Sequence, residues 1–167
     1  MPHVPPLSNE ESGPARPALD ALQTKLGHVP NMYRTFAHAP RVLDAVVSMA
    51  QAIRADLGAA LRELAYLKVT QMTDCHICWH YHEAAARRVG VTDGQLRDLG
   101  AFEEYTPLEK DIFRFAERWT LRGRIADDVI DRLKAALTPA HLVLLAATTA
   151  QANFTTRFNN VFGVELP

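Results

Sequence analysis

The residues best suited to chemistry in this 167-residue chain lie in one octapeptide, Cys75-His76-Ile77-Cys78-Trp79-His80-Tyr81-His82. It holds both cysteines and three of the seven histidines. On a helix, at about 100° per residue, Cys75, Cys78 and His82 fall within about 60° of one another, whereas His76 and His80 form an i, i+4 pair on a different face. A disulfide between Cys75 and Cys78 closes too short a loop to restrict the unfolded chain, so the pair is a poor staple and points to chemistry or metal binding. With Thr73 or Asp74 as N-cap, both sulfurs lie in the first turn of a helix, near free backbone N–H groups and the positive end of the helix dipole. Such surroundings lower a thiol's pKa from its free value of about 8.5, and the thiolate is the form that attacks a peroxide or a disulfide. His82, one turn beyond Cys78, is close enough to exchange a proton with it, directly or through one water. Cys75 is placed to condense with an oxidised Cys78 and release water.

Glu63 lies on the preceding helical stretch, beside Leu64 and one turn before Leu67, at the edge of an apolar stripe. If the two helices pack antiparallel, its carboxylate reaches His82 and orients or polarises the ring. Two other readings of the cysteines remain open at this level. They could be small apolar core groups, or they could bind zinc, with Cys75, Cys78 and His82 on one stripe or His76 and His80 on the other. Three ligands within two turns of one helix strain a tetrahedral site, and no second CxxC or HxxxH occurs to complete it. His76 and His80 read as solvated or interface side chains, and Trp79 and Tyr81 as packing residues. Arg157 with Asn159 and Asn160 could organise a subunit contact or hold an anionic substrate.

The elements that must position this constellation read as helices throughout. Apolar spacing predicts a short helix over Ala18 to Leu26, a second starting near Pro30, a third from about 41 to 54, and a fourth through Leu57, Leu61, Leu64, Leu67 and Thr70. After a break at Thr73-Asp74, a helix from about Cys75 to Val89 stops at Gly90, and Thr92-Asp93 caps a short one through Leu99. Thr106-Pro107 opens another that contains Ile112, Phe113, Phe115 and Trp119; Ile125 to Leu137 and Thr138-Pro139 to Phe162 complete the set. Alternating β-branched runs and hairpin dipeptides are missing, so the fold class is all-α with about seven to nine helices. Half of the ten prolines fall within residues 1–17, which read as an extended arm that is ordered only if it docks; residues 18–167 read as one helical domain.

With 18 Lys+Arg against 19 Asp+Glu and a formal net charge of -1, the chain makes no electrostatic case for nucleic acid or an anionic membrane as partner. No secretory signal and no apolar run of spanning length is visible, so a cytoplasmic location is expected, where a reducing environment suits a CxxC pair. No glycine-rich phosphate loop or dinucleotide fingerprint occurs, and neither a cofactor nor a metal is called for by motif.

The pattern Glu63-x11-Cys75-x2-Cys78-x3-His82 resembles the carboxymuconolactone decarboxylase-like superfamily, in particular its alkylhydroperoxidase AhpD-type branch with the redox CxxC. Leu26-Gly27 through Pro30-Asn31-Met32, Ala39-Pro40, Ala84 to Gly90 with Val91-Thr92, and Arg157-Phe158-Asn159 extend the resemblance over about residues 20–165. It implies a compact AhpD-like fold assembled as a homo-oligomer, a trimer or hexamer. It further implies a thiol-dependent peroxidase or disulfide reductase, with Cys78 attacking a small-molecule hydroperoxide, Cys75 resolving, Glu63 and His82 relaying protons, and an external dithiol as reductant. Some peroxidase members carry a histidine immediately before the second cysteine, where this chain has Ile77. The founding lactone decarboxylases generally lack the CxxC. The alternatives are a lyase or isomerase on a lactone or keto acid, with Glu63 and His82 as the acid–base pair, and a non-enzymatic oligomeric redox sensor.

Overall fold

The computed structural model describes residues 1–54, 56–99 and 102–167, without the Phe102 side chain. The described residues form nine α-helices, two short 3-10 turns and no strand. The helices are α1 (Arg16–Leu26), α2 (Asn31–Phe36), α3 (Pro40–Ala52), α4 (Ala59–Thr73), α5 (His76–Arg88), α6 (Asp93–Arg97), α7 (Pro107–Arg122), α8 (Asp127–Ala136) and α9 (Pro139–Phe162). The all-α expectation therefore holds, at the upper end of the anticipated count.

Local chemistry explains the boundaries. Pro30 is the N-cap of α2. Thr92 and Thr106 each form a capping box, with Gln95 and Glu109 respectively, so that two backbone donors are satisfied at each start. Gly27, in the left-handed region at φ 78°, ends α1 by donating its N–H to the Gln23 carbonyl. Several boundaries lie one or two residues from expectation. Helix α6 stops at Arg97 because Asp98 is extended (φ -144°). The start of α8 falls at Asp127, where two aspartates, Asp127 and Asp128, occupy the first turn and favour its positive end. Helix α5 ends at Arg88, ahead of Gly90.

The chain divides into two units, Met1–Ala52 with Phe158–Pro167, and Ile53–Arg157, so that α9 contributes residues to each. In the first unit Leu19, Leu22, Phe36, Leu43 and Val46 form the core, and Phe158 stacks on Phe36 with ring centroids 3.8 Å apart. The proline-rich arm docks here. His3 N–H donates to the Phe162 carbonyl (2.8 Å), Leu7 N–H to the Arg34 carbonyl (3.3 Å), and Arg34 Nη1 returns a bond to the Leu7 carbonyl (3.2 Å).

The second unit is built around α4. Glu63, Leu64, Ala65, Tyr66, Leu67, Val69 and Thr70 are all buried, too many directions for a one-faced amphipathic helix. Leu64 and Leu67 pack with Ala86 and Phe113; Ala65 packs with Ile112, Phe115 and Leu145; Tyr66 and Val69 pack with Cys75, Cys78, Ala116 and Ala152. Asp111 of α7, itself buried, accepts from both Arg132 of α8 (2.9 and 3.0 Å) and Arg114 (2.8 Å), tying α8 to α7.

The connection from α4 to α5 is two residues long. Asp74 ends α4 in the left-handed region (φ 51°, ψ 46°), which Asp adopts at lower cost than most side chains, and Cys75 N–H donates to the Thr70 carbonyl at 3.2 Å. This reversal turns the chain back along α4. Replacing Asp74 by alanine is expected to destabilise the protein by about 1 kcal/mol in urea denaturation, whereas Asp74→Gly leaves stability unchanged within about 0.5 kcal/mol. Equal losses for the two variants would show that the backbone conformation does not set the effect.

Candidate active site

Each end of the chemistry-bearing octapeptide is held by α4. Cys75 itself is the N-cap of α5, in extended conformation, and its Sγ accepts from Cys78 N–H at 3.4 Å. The expected cap at Thr73 or Asp74 is thus corrected. Thr73 turns its hydroxyl back to the Val69 carbonyl (2.9 Å), and Asp74 is spent on the left-handed end of α4. Asp and Thr favour several local turn conformations, and here the tight reversal outcompetes capping. Cys78 still lies in the first turn. The two cysteines are joined as a disulfide, Cα atoms 5.3 Å apart, and are 2% and 5% exposed.

One and a half turns along α5, His82 Nδ1 meets Glu63 Oε2 at 2.7 Å. The other carboxylate oxygen, Oε1, accepts from Arg62 Nη2 at 3.1 Å. Glu63 is 6% exposed, so its carboxylate is turned inward toward His82 rather than left at the rim of the core. A buried carboxylate is tolerated only when its lone pairs are occupied by strong donors, which Arg62 and His82 supply. Burial pushes the Glu63 carboxyl up, but the hydrogen bond and charge of His82, joined by the Arg62 guanidinium, outweigh it and hold the group below the ordinary glutamate value. An ionised carboxylate can only accept, so Nδ1 carries the hydrogen and Nε2 of a neutral ring is left with its lone pair. That arrangement is a base oriented by a carboxylate.

Two residues that sequence reasoning did not single out complete the site. The Tyr66 ring, one turn after Glu63, stacks on the His82 imidazole with centroids 3.5 Å apart and planes 14° from parallel. Its hydroxyl is hydrogen-bonded to Thr155 Oγ1 of α9. The same ring belongs to the cluster that encloses Cys75 and Cys78, so it links the disulfide to the Glu63–His82 pair. The signal available was the i, i+3 spacing from Glu63, which places both side chains on one side of α4. Arg62 is the other omission, hidden by adjacency to Glu63. His76 and His80 are exposed; His76 lies 3.7 Å from Asp74, and the His80 ring meets Tyr81 edge-on. Arg157 is exposed and bonds to Asn153 Oδ1 and, at 3.4 Å, to the Thr120 carbonyl. No group of three or more His, Cys, Asp or Glu side chains suited to hold a metal ion occurs among the described residues.

Residues 40–118, which include Glu63, Cys75, Cys78 and His82, match the carboxymuconolactone decarboxylase family. The chain is 28% identical over 115 residues to YdfG of Bacillus subtilis (strain 168), covering 66% of this chain and 78% of that protein. Among solved structures it is similar to an alkylhydroperoxidase AhpD core, a peroxidase-related protein from Ralstonia eutropha JMP134, with TM-score 0.81, 20% identity, and 98% and 93% of the two chains covered. It is also similar to a peroxidase-related protein from Silicibacter sp. TM1040 (TM-score 0.81, 20% identity, 100% and 90% covered) and to the debrominase Bmp8 (TM-score 0.78, 18% identity, 98% and 91% covered). The fold implied by the sequence resemblance is the fold observed.

Because the folded-state pKa of Glu63 is depressed, its stabilising contribution is complete above the ordinary glutamate value of about 4.3 and is lost as pH falls through the lower folded-state value. Glu63→Gln is therefore expected to lose about 2 kcal/mol in urea denaturation at neutral pH, with the gap from wild type closing as pH falls below the ordinary glutamate value of about 4.3. A gap unchanged across that range would place the loss elsewhere than in the charge.

Proposed function

We propose that this chain, which carries a segment of the carboxymuconolactone decarboxylase family on an AhpD-type helical fold, is a thiol-dependent peroxidase. The observation that carries the reading is the Cys75–Cys78 disulfide enclosed with Tyr66, whose ring contacts the carboxylate-oriented His82. The pair in its bonded form is the product such a cycle passes through.

In the reduced protein His82 takes the Cys78 thiol proton. The thiolate attacks the terminal oxygen of a hydroperoxide, the O–O bond breaks, and the departing alkoxide receives that proton to leave as an alcohol. Cys78, now two electrons more oxidised, is a sulfenic acid. The Cys75 thiol attacks its sulfur, the S–S bond forms and water leaves. An external dithiol supplies two electrons and two protons through a mixed disulfide, becoming a disulfide itself. Glu63 keeps the ring in the Nδ1–H tautomer throughout. With Cys75 and Cys78 2% and 5% exposed in the bonded state, the reductant meets a nearly buried disulfide.

A second reading has one observation of its own. The Glu63–His82 pair is complete while both thiols are locked in a disulfide, so an acid–base lyase or isomerase on a lactone or keto acid needs no free cysteine. Stopped-flow mixing of the reduced protein with tert-butyl hydroperoxide separates the two. Cys78→Ser is expected to abolish peroxide consumption, Cys75→Ser to stop after one turnover at the sulfenate, and His82→Ala to slow the first step by about 100-fold. Peroxide consumption by Cys78→Ser at the wild-type rate would overturn the peroxidase reading. Lyase activity that survives Cys75→Ser with Cys78→Ser and disappears in His82→Ala would establish the second.

A further inference from the structure

We infer that Tyr66 is a positioning residue for the proton relay: its ring face, held from behind by Thr155, fixes the plane of the His82 imidazole. The inference rests on the reading of Glu63 and His82 as that relay. A single hydrogen bond from Nδ1 to Glu63 Oε2, at 2.7 Å, leaves the imidazole free to rock about the bond axis, which swings Nε2 through an arc. The Tyr66 ring removes that freedom. With centroids 3.5 Å apart and planes 14° from parallel, the contact is face to face over the whole imidazole, so His82 is constrained at its edge by Glu63 and on its face by Tyr66.

The phenol is itself anchored at both ends. Its Cβ is on α4, where the residue is 8% exposed, and its hydroxyl meets Thr155 Oγ1 on α9. The single Thr155 hydroxyl hydrogen is directed to the Gln151 carbonyl at 2.9 Å, with the Ala152 carbonyl at 3.3 Å. Tyr66 is therefore the donor and Thr155 the acceptor. An aliphatic side chain would fill the same volume but would present neither a flat face nor an anchor, and the electron-rich face suits a ring that carries a proton between steps. A residue serving only as packing would need neither.

NMR of the oxidised 167-residue chain tests the geometry without any assay. The His82 ring protons are expected upfield of those of exposed His76 and His80, through the ring current of Tyr66. Tyr66→Phe should keep that displacement and Tyr66→Leu should lose it. On the reduced chain with tert-butyl hydroperoxide, Tyr66→Phe and Thr155→Val should each slow the first turnover by about threefold, with no further loss when combined, because both remove the same bond. Tyr66→Leu should slow it by about 10- to 100-fold. A folded Tyr66→Leu reacting at the wild-type rate, or wild-type His82 signals coincident with those of His76 and His80, would overturn the assignment. If Tyr66→Leu does not fold, additive losses in the Phe and Val variants would do so. A wild-type protein inert to peroxide would instead sink the peroxidase reading, and the ring displacement would still decide the role of Tyr66.

Discussion

The packing of α5 against α4 in the second unit depends on keeping the Glu63 carboxylate charged inside it. Helix α4 is enclosed on several sides by apolar side chains, and Glu63 in that setting is sustained only by donors that reach both of its oxygens. Arg62 comes from the same helix and is available in any register. His82 does not, and it occupies Oε2 only if α5 returns along α4 with its first turn at Cys75. The left-handed Asp74 makes that return in two residues. The charge that orients the candidate base is therefore also the charge that requires α5 to be where it is. The orientation of the candidate base and the packing of α5 on α4 are coupled through the same 2.7 Å bond.

The surroundings of the sulfurs follow from the same packing. Tyr66, Val69, Ala116 and Ala152 close around Cys75 and Cys78, which leaves the disulfide nearly dry. Dryness strengthens the local electrostatics that a thiolate and an imidazole exchange, and it limits what reaches the pair to groups that can pass the immediate wall. A chain with a net charge of -1 exerts little long-range steering, so access to the disulfide is set by these few side chains.

The sequence made legible whatever was local. CxxC, the histidine four residues on and the glutamate twelve residues back all lie on two consecutive helices. Their spacing alone places them on facing stripes, and the fold class followed from periodicity and caps. Glu63 was left between the rim of the core and a site because period counting on α4 cannot show that three separate clusters, joined by other helices, pack on that helix. Asp74 was read as a cap because Asp serves both helix starts and left-handed ends, and only the length of the reversal decides between them. The i, i+3 spacing puts Tyr66 on the same side of α4 as Glu63 but does not show what its ring touches. Its meaning comes from Thr155, 89 residues later, and from a ring contact that pattern cannot register.

The inward face of α9 shows why that partner is a threonine. Thr149 and Thr155 return their hydroxyl hydrogens to the carbonyls four residues earlier, at 2.8 and 2.9 Å, and Thr120 on α7 does the same toward Ala116 at 2.7 Å. A threonine bonded back in this way satisfies its donor within its own helix and presents an acceptor outward. Thr155 offers that acceptor to Tyr66 of α4, and Thr120 offers its own to Asn153 Nδ2 of α9 at 3.0 Å. One device thus docks α9 onto both α4 and α7 without a buried charge at either contact. Leucine at either position would lose the acceptor, and valine would keep the shape while losing it too. The threonines of α9 weaken its apolar character as read from sequence, yet they are what allows a buried tyrosine to stand against the histidine.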